Sequence, residues 1–194
     1  VGQTEWSPFE KAGYLYRMTQ KSRRPIKALA QDFGIKVSEA ELYVKVFNAM
    51  QDNEDMHPTH WSYYYELYKS KPILKMAEAN PSIDIIPQLC EKIKNEEFDD
   101  ARELRKVATI AKVDTGEAFQ TLITYLDDEI SLNDAVEIVN EANVGQVISS
   151  GFDRFRKLLN NYDSHIRQQL KSDSDFILQM KQLLNTLNAY TKDK

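Results

Sequence analysis

The chain has 194 residues, 42% apolar and 28% charged, which is long enough to bury a core and too apolar for a disordered segment. No apolar run reaches bilayer length and no signal-peptide pattern opens the chain, so a membrane partner is excluded at this level, and the single Cys90 rules out an intramolecular disulfide and suits a reducing, cytoplasmic compartment. The net charge of −5 would by itself argue against nucleic acid, but the charge is polarised along the chain.

Between Lys11 and Lys36, seven basic residues face one acid, Asp32. From 37 to 150 there are ten basic and twenty-two acidic residues, and from 151 to 194 eight basic and five acidic. A positive front end on an acidic body can orient a polyanion toward that end. The chain opens at Val1 instead of methionine and is read as an excised fragment.

The pattern predicts an all-α protein. Ser7-Pro8 supplies a cap and a proline tolerated at the first helical position, and Phe9, Ala12, Leu15 and Tyr16 recur at helical spacing. Pro25 starts a short second helix whose buried stripe is Ile26, Leu29, Ala30 and Phe33. Gly34 is a helix stop, Ile35 and Val37 anchor the turn, and Ser38 is expected to cap a third helix with Tyr43, Val46, Phe47 and Met50 inward. Three helices, the last two joined by a glycine-containing turn, make a helix-turn-helix arrangement, although a helical hairpin with no DNA role fits the same pattern.

The polar stretch 51–59 reads as a linker or exposed loop, dividing the chain into a helix-turn-helix domain (1–55), a helical domain (56–148) and a helical pair (149–194). Trp61 to Tyr68 forms an aromatic helix expected to pack centrally or line an interface and to end at Pro72. After Pro87 the stripes Leu89/Cys90/Ile93/Phe98, Leu104/Ala108, Ala118/Phe119/Leu122/Leu126 and Leu132/Ala135/Val139 predict further helices. Phe98-Asp99-Asp100-Ala101 and Leu132-Asn133-Asp134-Ala135 form a faint repeat, too few copies for a solenoid and suited to a bundle or stacked helical hairpins. Beyond Gly145, Phe152 to Leu170 and Phe176 to Leu187 predict two amphipathic helices, an antiparallel pair or a dimerisation element.

No catalytic constellation is visible, and no cofactor is implied. There is no phosphate-binding glycine loop or dinucleotide fingerprint. His57 and His60 sit near Asp52, Glu54 and Asp55, but one cysteine cannot complete a structural zinc set, so no metal site is expected and the group reads as a polar loop.

Trp6-Ser7-Pro8-Phe9-Glu10-Lys11-Ala12, followed by Ile26-Lys27-Ala28-Leu29-Ala30-Gln31-Asp32-Phe33-Gly34-Ile35, resembles the helix-turn-helix DNA-binding domain of ParB-like proteins. The likeness is best over residues 5–50 and extends more weakly to about 110, through Glu96 to Lys106. It implies a binder of double-stranded DNA, a partition-like or transcriptional regulatory factor, not an enzyme over these residues. Many such proteins carry an upstream ParB/sulfiredoxin-like nucleotide domain, whose arginine-rich motif has no counterpart here. On this likeness Lys21, Arg23, Arg24, Lys27 and Lys36 are the expected phosphate contacts, and Lys36, Ser38, Glu39 and Glu41 the expected base readers. A homodimer is expected from operator symmetry. The acidic body and Glu39 and Glu41 leave open an alternative, a helical protein-interaction adaptor with a protein partner. A further alternative is the non-catalytic part of a ParB/sulfiredoxin-type nuclease or nucleotide hydrolase.

Overall fold

The helix start expected at Ser7-Pro8 is built as a reciprocal cap. In this computed structural model, which describes residues 6–22 and 24–192, the Ser7 hydroxyl accepts from the Glu10 amide at 3.3 Å. The Glu10 carboxylate in turn accepts from the Ser7 amide at 2.8 Å, opening α1 (Pro8–Lys21). That backbone bond, more than any other cause, holds the Glu10 carboxyl below the usual carboxylate range.

Pro25 precedes α2 (Ile26–Asp32), and the turn beyond it closes on Gly34 at φ +63°. The Ile35 amide donates to the Ala30 carbonyl at 3.0 Å and the Gly34 amide to Gln31 at 3.1 Å, a closure that needs the left-handed residue. α3 (Val37–Asp52) then starts with Lys36 in the cap position. Ser38 is therefore a residue of the first turn and not the cap. Leu15, Leu29, Ala30 and Ala40 form the small core shared by the three helices, ringed by Tyr14, Met18, Ile26 and Phe33.

The stretch expected as a linker is structural. α3 runs to Asp52, and a left-handed Glu54 (φ +53°) closes it, with the Asp55 amide donating to Met50 at 2.9 Å. Asp55 is then buried at 5% exposure, and both its oxygens lie 2.9 Å from His60 Nδ1. Taking a carboxylate out of water is costly without a partner, so this pair fixes the path of the connection. A 3-10 turn, Pro58–His60, leads into α4 (Trp61–Lys69).

Packing accordingly shows no break at residue 55. Ala12, Phe47 and Met50 share one core with Trp61, Tyr64 and Leu67. Trp61 meets the rings of Phe9 and Tyr43 edge-on at centroid distances of 6.3 and 5.3 Å. The aromatic helix is central, as its composition predicts, with Tyr64 fully buried. Its end is at Ser70, and Pro72 instead stands in the first turn of α5 (Lys71–Ala79), where it costs no hydrogen bond.

The same core continues through α6 (Ile85–Lys94), a 3-10 turn at Ala101–Glu103, α7 (Leu104–Lys112), α8 (Gly116–Leu126) and the start of α9 (Leu132–Asn161). α10 (Ser164–Ser172) and α11 (Ser174–Lys192) complete an all-α chain, with no strand among the described residues. Among the described residues, no helix is long and apolar enough to cross a membrane.

The chain divides into two compact units, residues 1–142 and 143–194. The expected boundary at 148/149 lies inside α9. In the second unit, the break falls instead at Asp163, which accepts from the Ile166 amide at 2.8 Å and caps α10. None of that unit's described side chains is buried.

Candidate nucleic-acid interface

The buried side of α3 determines what it can present outward. Ala40, Val46, Phe47, Ala49 and Met50 face inward. Ser38, Glu41 and Lys45 are left exposed and Asn48 half-buried, at steps of three, four and three, which is one face of a helix. Ser38 and Glu41 of the expected base-reading set share this face, with Lys36 just before it. Glu39 does not. It is half-buried beside Tyr43, whose phenol is held above its usual range by burial first and by the charge of Glu39 second. One residue of helical rotation is about 100°, so positions 38 and 39 point in different directions.

Lys45 and Asn48 complete the face in its place. The Lys45 ammonium lies 5.4 Å from the centre of the Tyr68 ring, and Asn48 donates through Nδ2 to Asp52 at 2.7 Å. Sequence reasoning passed over Asn48; stepping from Ser38 in threes and fours would have found it. Beside the face is a cleft of about 390 Å³ between α1 and α3, with Thr19 and Gln20 on one wall, Glu41, Lys45 and Asn48 on the other, and Ile26 of α2 at its edge.

The expected phosphate contacts divide into three groups. Lys21, Lys27 and Lys36 are exposed and form no ion pair among the described residues. Arg24 is held by Asp32, the last residue of α2, at 2.8 Å. The only acid of the basic stretch thus neutralises one of its arginines. Arg23 lies outside the described residues. Lys36 makes no side-chain capping bond, so the first amides of α3 keep their capacity for an anion.

Such a set can perform recognisable chemistry. Ammonium groups and helix-start amides bind phosphate oxygens without reading sequence. On the α3 face a lysine can donate to guanine, an amide can pair with adenine and a carboxylate can accept from cytosine. Trp6 braces the arrangement from behind, its ring 5.3 Å from Tyr14 and 5.9 Å from Phe33 between centroids.

Elsewhere the titratable groups serve packing. His57 Nδ1 sits 2.6 Å from the Thr59 hydroxyl, and His60 is committed to Asp55, so the group read as a polar loop holds a buried hydrogen-bonded pair. No three metal-ligating side chains converge among the described residues. Burial pushes the Cys90 thiol up to about 11, away from reactivity. Compared with known proteins, the chain matches no protein-family model, no curated protein and no solved structure.

Proposed function

We propose that the chain binds double-stranded DNA, with α2 and α3 acting as a helix-turn-helix of the ParB-like kind and α3 entering the major groove. In this reading it is a partition-like or transcriptional regulatory factor of the cytoplasm. The observation that carries it is the outward α3 face of Ser38, Glu41, Lys45 and Asn48, together with Lys21, Lys27 and Lys36, which are exposed and without acid partners among the described residues. On a protein of net charge −5, unpaired cations beside an uncapped helix start are placed to attract a polyanion. Backbone contacts supply most of the affinity, and Lys45 and Asn48 supply what sequence preference there is.

A second copy of the chain completes the proposal. It covers the apolar side chains that the 143–194 unit leaves in water and sets two α3 helices on one duplex.

The test is a fluorescence-anisotropy titration of a random duplex with the wild type and with Lys21→Glu/Lys27→Glu/Lys36→Glu. All three side chains are exposed, so the variant folds. Its affinity is expected to fall by at least about tenfold. An unchanged affinity would remove the phosphate-contact face and favour the protein-interaction adaptor.

A further inference from the structure

We infer that the groove between α5 and α8 is a docking site for an acidic amphipathic helix of a partner protein, an assignment that does not depend on the DNA reading. α5 and α8 each pack on α7, and the space above the end of α7 is left open as a concavity of about 630 Å³. Its floor is apolar: Pro72 and Met76 come from one side of α5, Val113 follows α7, and Phe119 comes from α8. Those side chains are only half-buried, so water meets the floor in the free protein.

The rim has the opposite character. Lys71 and Lys75, one turn apart on α5, and Lys112 at the end of α7 are exposed, and none forms an ion pair among the described residues. The body from 37 to 150 holds twenty-two acids and ten basic residues, yet three of those ten surround this one groove, with Asp114 the only acid in its lining. Cations left unpaired on an acidic surface mark a place where carboxylates from elsewhere gain most.

The two properties together select the occupant. A duplex would use the lysines and leave Met76 and Phe119 wet, because phosphate contacts do not fill an apolar floor. An amphipathic helix uses both, with apolar residues one turn apart on the floor and acids on the rim. The opening is of a size that admits several side chains in a row.

The probe is a fluorescein-labelled synthetic peptide of about 20 residues, long enough to form a helix on binding, with leucines at steps of three and four and glutamates between. Full-length protein is titrated with it, and with a peptide of the same composition scrambled to lose the apolar face. The amphipathic peptide is expected to bind and to move the Met76 methyl resonance. Its affinity should fall by about tenfold in Lys71→Glu/Lys75→Glu/Lys112→Glu, while duplex affinity is retained. Phe119→Ser should weaken it without a charge change; if that variant does not fold, Met76→Gln serves the same purpose. Absence of binding at about 100 μM, equal binding of the scrambled peptide, retention in the charge-reversed variant, or a variant that loses the duplex instead of the peptide would each overturn the assignment.

Discussion

Two glycines of the N-terminal region are required for opposite reasons. At Gly13 a Cβ would stand 2.9 Å from Phe47 Cε2 and 3.1 Å from Cζ. The Phe47 ring cannot easily yield, because it is buried and lies between Phe9 and Tyr16 at 5.5 and 5.4 Å. Gly34 has open space around its missing Cβ but a φ of +63°. Gly13→Ala should therefore cost about 1 kcal/mol or more, the crowding outweighing the better helix propensity of alanine. Gly34→Ala should cost about 1 kcal/mol through backbone strain alone, and Gly34→Asn less, since asparagine tolerates the left-handed region. Urea denaturation distinguishes them: asparagine rescues position 34 and not position 13. If Gly13→Ala matched the wild type, the close approach of α1 to α3 would be wrong.

At the scale of elements, α3 belongs to two cores at once. Its first half closes the small cluster with α2 through Ala40, and its second half enters the main core through Val46, Phe47 and Met50. The connection after it is held by Asp55 and His60, so Asp55→Ala should destabilise the protein by about 2–4 kcal/mol, leaving a buried imidazole without its acceptor. Limited proteolysis of the variant should then cut within 53–60, a segment resistant in the wild type; susceptibility of the wild type there would restore the linker reading. The sequence made the helices themselves plain, because apolar spacing, Ser7-Pro8, Pro25 and Gly34 each act locally. The Asp55–His60 pair was hidden because an acid in a polar run looks solvated unless its distant cover is known. Here that cover comes from Tyr64 of α4 and Cys90 of α6, both close enough to Asp55 to feel its charge. The outward α3 face was half legible. Ser38, Glu41 and Lys36 follow from position, and so does Glu39 lying one turn before Tyr43, but the burial of Tyr43 against α4 does not. The ion pair that occupies Arg24 likewise joins two residues eight apart, across a helix, which no short pattern reveals.

At the scale of the whole molecule, the two units differ in how they meet water. The described residues of 1–142 bury two core clusters, whereas 143–194 leave Val144, Ile148, Leu158, Leu178 and Leu184 more than half exposed. A helical segment with none of its described side chains buried needs cover. Light scattering coupled to gel filtration should give a dimer for the wild type and a monomer for Leu178→Glu/Leu184→Glu, and a monomeric wild type would exclude self-association through this unit. The central claim concerns the other end of the chain, where exposed lysines meet α3. Its most direct test is the affinity of the wild type for a random duplex over a range of salt concentrations. Contacts from Lys21, Lys27 and Lys36 to phosphates predict a slope of log K against log salt near about −3. No binding at low salt, or a slope near zero, would contradict a DNA-binding role for this face.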